Sequence, residues 1–350
     1  MLMTIFGAGA SYDSVDLTVT PGLEKDLAIG AAYRPPLASE LFDERPAFIA
    51  AMNNWPQIAP LIPRLRRAST AESGQTVEEA LREIQEEAAD YPQRISHLIA
   101  LENYLAAITD TPIWEWIHSA GSSTNYAELL DQIEQFYGGK SPALFVTFNY
   151  DAMLELAFNS VLMRNLRALD DYIPDRPESA LIKPHGSVNW IQGLPPDRVP
   201  TLPGNPGNNP AIQYAPILDF TGGQITTRSE GSATIWHPAI AIPLDRGKTF
   251  VCPPQHLNRM KADIQEVTHI LIVGWRATED HFLKVLSEHL RKDRPLSLCI
   301  VDVTTGAETV YANLQKSLEF ISFGPVKLHG EGFSAFVRQR RVREWLSGLA

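Results

Sequence analysis

Four short segments of the chain are almost continuously apolar: Leu2–Phe6, Ala143–Val146, His269–Val273 and Leu298–Val301. Each is rich in branched side chains and too brief for a helix. Helical spacing follows two of them: Met153, Leu154, Leu156 and Ala157 after the second, Phe282, Leu283, Val285, Leu286 and Leu290 after the third. Short strands without polar alternation, each feeding a helix, predict a parallel sheet covered on both faces, that is, an α/β fold.

Residues 46–140 have a different texture. Thr76-Val77-Glu78-Glu79 is a capping-box signature, and Val77, Leu81, Ile84 and Ala88 then share one helical face. Pro92 interrupts the pattern, and Ile95, Leu98, Ile99 and Leu105 resume it. A further helix carries Leu129, Leu130, Ile133 and Phe136 and stops at Gly138-Gly139. The block reads as a large helical insertion between the first two strands. From Gly193 to Pro216 seven prolines stand among Gly204, Gly207, Asn208 and Asn209, a density that excludes central strands and helices. Residues 191–235 are therefore expected to form a loop inside the main domain, and residues 331–350 a C-terminal helix. Arg338, Arg340, Arg341 and Arg343 crowd that end beside Trp345 and Leu346. They read as a solvated helix end near the negative pole of its dipole, or as a docking surface for an acidic partner or a neighbouring subunit.

At 350 residues the chain can bury a large core without staples. It has only two cysteines, Cys252 and Cys299, neither in a CxxC pair. A disulfide framework and a four-thiolate zinc site are thus not expected, and no metal is predicted. Thirty Lys and Arg against 41 Asp and Glu give a formal charge of −11, the wrong sign for a protein that coats nucleic acid or an anionic membrane. The opening apolar run lacks a basic flank and is too short for a signal peptide, and no other run approaches a membrane span. The expected compartment is the cytoplasm.

The candidate chemistry sits where strands end. Gly7-Ala8-Gly9-Ala10-Ser11 follows the first strand; glycines there let a backbone approach a phosphate, with N–H groups and the Ser11 hydroxyl as donors. The motif departs from G-x-G-x-x-G, since Tyr12 occupies the third glycine position, and it has no P-loop lysine; a plain tight turn is the competing reading. Thr147-Phe148-Asn149-Tyr150-Asp151 follows the second strand. The Asn149 amide suits a ribose hydroxyl or an attacking water, while Asn149 or Asp151 could equally cap the next helix. Lys183-Pro184-His185-Gly186-Ser187-Val188-Asn189-Trp190 places an imidazole beside a glycine, able to take a proton from a sugar hydroxyl or from water. No G-x-S-x-G elbow accompanies Ser187. Gly274-Trp275-Arg276-Ala277-Thr278-Glu279-Asp280 again joins a strand to a helix, and Asp302 ends the strand Leu298–Val301, where a carboxylate can meet a ribose diol.

Taken in this order, GAGAS, FNYD, KPHGSVNW and IVGWRATED resemble the sirtuin-like superfamily, in particular its bacterial antiphage-defence branch. The resemblance spans residues 1–45 and 141–330 and implies a Rossmann-like parallel sheet with NAD as substrate. It places Gly7, Ala8, Gly9 and Ser11 in the pyrophosphate loop and Asn149 and Asp151 in the nicotinamide-ribose pocket. His185 matches the histidine of the His-Gly loop, Gly274 and Trp275 the turn near the adenosine, and Asp302 the far ribose. Two departures stand out. Sirtuin deacylases carry a four-cysteine zinc ribbon after the His-Gly loop, where this chain has no cysteine between residues 191 and 251. They also carry a Pro-Asp-Phe-Arg element, where this chain has Arg34-Pro35-Pro36-Leu37.

The expected activity is hydrolysis of NAD to nicotinamide and ADP-ribose, with Asn149 aligning water, His185 acting on the ribose and Asp151 orienting the carboxamide or a ribose hydroxyl. The branch further implies a gated, homo-oligomeric protein with a partner defence protein such as a translocase-type ATPase or a nucleic-acid sensor, and no direct nucleic-acid binding of its own. NAD-dependent deacylation or ADP-ribosyl transfer is the alternative activity, and a non-catalytic module sensing NAD or ADP-ribose is the alternative class.

Overall fold

The computed structural model describes residues 1–15, 33–70, 74–91, 94–120, 124–139, 142–194, 214–216, 235–242 and 250–348. Nine strands run through it: β1 (Leu2–Phe6), β2 (Ala143–Thr147), β3 (Ala180–Ile182), β4 (Gly186–Leu194), β5 (Tyr214–Pro216), β6 (Ile235–Ile240), β7 (His269–Val273), β8 (Leu296–Val301) and β9 (Phe323–His329). Six of them form one sheet in the order β3-β2-β1-β7-β8-β9, and every pairing in it is parallel. This is an α/β fold with the strand order of a doubly wound, Rossmann-type sheet.

Alternate residues of each strand feed two cores. Leu2 and Phe6 meet Phe145, Val273 and Val301 on one face, and Met3 and Ile5 meet Leu144, Ile272 and Ile300 on the other. Burial on both faces explains why these strands carry no polar alternation. Helix α1 (Ala8–Ser14) follows β1. The block between β1 and β2 holds α2 (Pro46–Asn54), α3 (Ile62–Ala68), α4 (Val77–Asp90), α5 (Ile95–Ala120) and α6 (Asn125–Tyr137). In α4 the Thr76 hydroxyl accepts from the Glu79 N–H while Glu79 accepts from the Thr76 N–H, as the capping-box spacing predicts. Gly138, in the left-handed region at φ 58°, ends α6. Helices α2 to α5 share a third core, which also takes Val188, Ile240 and Ile242 from the neighbourhood of β4 and β6.

The rest of the chain adds α7 (Met153–Leu162), α8 (Pro254–Ile264), α9 (Asp280–His289) and α10 (Gly306–Ser317), then α11 (Phe333–Arg338) and α12 (Arg341–Leu346). Two expectations need correction. Strands β4, β5 and β6 pair as a small antiparallel sheet, so the segment 191–235 is not loop throughout: residues 191–194 and Tyr214–Pro216 are strand, and its other residues up to 234 lie outside the described ones. The C-terminal residues form two short helices instead of one, because Arg340 sits in the left-handed region at φ 54° between them. The break lets Val342 and Trp345 turn inward, and the Trp345 indole donates to Ser297 Oγ at 3.0 Å. Among the described residues no helix is long and apolar enough to cross a membrane.

Candidate active site

From β1 the chain winds outward through β2 and β3, then returns to lay β7 on the other side of β1. Ligands of open α/β sheets bind at such a reversal, beyond the carboxyl ends of the strands. Four of those ends carry the four motifs: β1 runs into Gly7, β2 into Asn149, β3 into Lys183–His185 and β7 into Gly274.

The β1 and β7 turns touch backbone to backbone. The Gly7 N–H donates to Val273 O at 3.0 Å and the Gly9 N–H to Gly274 O at 3.2 Å. A Cβ on Gly7 would stand 2.5 Å from Gly274 O, and one on Gly274, at φ 59°, would stand 2.4 Å from Ala10 N. The glycines expected to admit a phosphate thus admit each other first. A side chain on Gly9 would meet the Gly274 Cα at 3.0 Å, so its immediate obstacle is protein. Ala8, the first residue of α1, is exposed at the mouth of this seam.

Beside the seam lies a buried polar network. Asn149 Nδ2 donates to Gly7 O at 2.8 Å, to Ser11 Oγ at 2.8 Å and to Tyr126 Oη at 3.0 Å. Gly7 O can only accept, which fixes the amide orientation and leaves Oδ1 as the acceptor for an incoming group. The Ser11 hydroxyl donates to Asp151 Oδ2 at 2.6 Å, and Asp151 Oδ1 accepts at 3.0 Å from the N–H of Met153, the first residue of α7, whose N-cap is Ala152. Both Asp151 oxygens are therefore engaged, and Asp151 holds Ser11 and the helix in place. Ser11 is 1% exposed, buried within the site and not presented at its surface.

The His-Gly loop is locked to this network through Lys183. Its fully buried ammonium donates to Asp151 O at 2.5 Å and to Glu155 Oε1 at 2.8 Å, and Glu155 Oε1 also accepts from Ser187 Oγ at 3.3 Å. Gly186 is obligatory: at φ 80° a Cβ there would fall 1.8 Å from Ala239 O. The His185 ring packs edge-on against Phe148 with centroids 4.9 Å apart, and stacks on His281 at 5.4 Å. Phe148, the neighbour of Asn149, thereby joins the second and third motifs. It also stacks on Trp275 at 5.4 Å. Trp275 is 2% exposed, so its ring supports the crevice from the core. Asp302 stands at the carboxyl end of β8, one strand beyond β7, where its carboxylate accepts from the Val303 N–H at 2.7 Å.

Three side chains near the site carry no motif. Tyr126 comes from α6 and completes the Asn149 network; burial and the Asp151 charge push its phenol well above the usual range, so it stays protonated. His281, second residue of α9, had only its place in IVGWRATED-His to mark it. Asp110 lies in α5 with Oδ1 accepting from the Trp114 indole at 3.0 Å. Burial pushes its carboxyl up to about 6, assisted by Asp151 and opposed by Lys183. Nothing in the apolar pattern of α5 singles it out. Among the described residues no group of three or more His, Cys, Asp or Glu is placed to hold a metal ion.

No family model matches the chain, and no curated protein matches it. Solved structures similar to it include a Sir2 homologue in complex with NAD, at 13% identity and TM-score 0.40, covering 100% of this chain and 90% of the other. A mutant Sir2 homologue with ADP-ribose matches at 11% identity and TM-score 0.40, covering 100% and 94%. Sir2Tm bound to a propionylated peptide matches at 10% identity and TM-score 0.41, also covering 100% and 94%.

Proposed function

We propose that the chain binds NAD in this crevice and hydrolyses its nicotinamide–ribose bond. The observation that carries the reading is the meeting, at the reversal of the sheet, of an amide with a fixed acceptor face and an imidazole on the adjoining loop, linked through Phe148. In the reaction the ribose C1′–N bond breaks and its electron pair leaves with neutral nicotinamide. Water then bonds to C1′ and loses a proton, giving ADP-ribose. Charge develops on the ribose in the transition state, so a fixed acceptor and a nearby base act where they are needed.

Asn149 Oδ1 accepts from the attacking water or a ribose hydroxyl and aligns it. His185 takes the proton. Ser11 and Asp151 hold Asn149 and the α7 terminus, and the Gly7–Ser11 turn meets the pyrophosphate through exposed Ala8. In the antiphage reading this activity depletes NAD once an infection signal or a partner protein switches on an assembled form.

The test is nicotinamide release from NAD by the purified protein, alone and with the products of neighbouring genes. Asn149→Ala and His185→Ala should each lower the rate on the order of 10²–10⁴-fold while keeping a folded core with a cooperative unfolding transition. Parent-like rates in both variants would remove these residues from the chemistry. Binding of NAD without nicotinamide release would favour a sensing module, and release only with an acylated peptide or protein acceptor would favour group transfer.

A further inference from the structure

One member of the Asn149 network comes from outside the sheet and its flanking motifs. Tyr126 is the second residue of α6, in the helical block between β1 and β2. Its ring is wedged edge-on against Phe6 of β1 at 5.0 Å and Phe333 of α11 at 5.7 Å. The helix end that carries it is pinned as well: Asn125 Nδ2 donates to Asp13 O at 3.0 Å and to Ser334 Oγ at 2.8 Å, and Gln132 Nε2 donates to Val337 O at 2.8 Å. The phenol oxygen is thus located by the insertion, by the first strand and by the C-terminal helices together.

The protons of the network can be assigned by elimination. Asp151 only accepts, so the single Ser11 proton points to it at 2.6 Å. Ser11 and Tyr126 are 2.8 Å apart, and with the Ser11 proton engaged the phenol must donate to Ser11 Oγ. The Asn149 amide then donates one hydrogen to Gly7 O and shares the other between the Ser11 and Tyr126 oxygens. The sequence Tyr126 to Ser11 to Asp151 therefore has one direction, and Asn149 is seated on it.

We infer that Tyr126 is a positioning residue for cleavage of the nicotinamide–ribose bond: its hydroxyl holds Ser11 and the Asn149 amide in the orientation that presents Oδ1 to the substrate, making the helical insertion part of the active site. This rests on the NAD reading above for the reaction, and on the hydrogen-bond geometry alone for the coupling. Tyr126→Phe keeps the ring and removes only the hydroxyl. Its kcat for nicotinamide release should fall roughly tenfold, the worth of one well-placed hydrogen bond, with KM for NAD within about twofold. Ser11→Ala should give a similar loss. The double variant should lose little more than either alone, because both act through Asn149.

An unchanged kcat in Tyr126→Phe, or losses that multiply in the double variant, would overturn the inference. A second reading does not need activity. The Asn149 side-chain amide resonance, identified by its disappearance in Asn149→Ala, should shift in Tyr126→Phe; a resonance left in place would overturn the coupling even if the parent is active. A parent that releases no nicotinamide but whose Asn149 resonance moves would overturn the NAD reading and leave the coupling standing.

Discussion

After β1 the chain turns on Gly7, Ala8 and Gly9 with its backbone pressed against Gly274, whereas after β2 it turns on Thr147 to Asp151 through side-chain hydrogen bonds. The two turns are neighbours, joined by the bond from Asn149 Nδ2 to Gly7 O. The first has no room for added atoms, and its specificity is steric. The second depends on every polar group being present, because each is buried and unpaired burial is costly. The division lets chemistry and architecture separate. The glycine seam sets the spacing of β1 and β7 whatever the polar turn contains, so a change in the polar turn is felt first in its own hydrogen bonds and only then in the sheet.

The largest effect expected from this comparison is at the seam. Gly274→Ala places a Cβ 2.4 Å from Ala10 N and 2.6 Å from Gly9 C, both backbone atoms that cannot swing aside, and does so at φ 59°. The left-handed conformation alone costs an L-residue about 1 kcal/mol, and parting the two turns should bring the total to at least about 3 kcal/mol. Denaturant unfolding measures it. A variant as stable as the parent would mean that the turns are not held in contact.

The polar turn should break more gently. Asp151→Asn replaces one of two accepting oxygens with an NH₂ group, facing it toward either the Ser11 hydroxyl or the Met153 N–H. A mismatched buried donor costs about 1–3 kcal/mol, less than the seam but measurable in the same titration. Ser11 is expected to reverse its proton to relieve the mismatch, which would also unseat Asn149 and slow catalysis. Full stability together with full activity would show that Asp151 holds neither partner.

The two turns also differ in how far the sequence betrays them. Strands β1, β2, β7 and β8 are legible because burial on both faces leaves them as bare apolar runs, and each glycine or asparagine motif is legible by standing just after one. What holds the motifs together is not. β3 has only three residues, Ala180–Ile182, too few for a pattern. β9 is an edge strand, half-exposed, with Pro325 and Lys327 in it, so it lacks the apolar signature. Lys183 was visible only as a letter in KPHGSVNW, since a lysine announces solvent until its partner, Glu155 on α7, is seen. Tyr126 looks like any core aromatic on a helix. The glycines of GAGAS pointed to a ligand, and their first contact proves to be another turn of the same sheet.

A third effect, present only at the higher pH, probes the electrostatic reach of the polar turn. Asp110, half-buried on α5, feels the Asp151 charge, and its carboxyl is pushed up to about 6, first by burial. In the unfolded chain the same carboxyl ionises near 3.8. As pH rises from about 4 to about 6 the unfolded state releases this proton before the folded state does, so folding loses stability across that window and keeps the deficit above it. Asp110→Asn retains an oxygen to accept from the Trp114 indole and removes the ionisation. The variant should therefore gain about 1–3 kcal/mol over the parent at about pH 8 and close to nothing at about pH 4. Denaturant midpoints at the two pH values measure the difference. Asp151→Asn should shrink that gain, because it removes the neighbouring negative charge that helps hold the Asp110 proton. A gain equal at both pH values, or one indifferent to Asp151, would mean that Asp110 is isolated from the polar turn and that the insertion touches the site through Tyr126 alone.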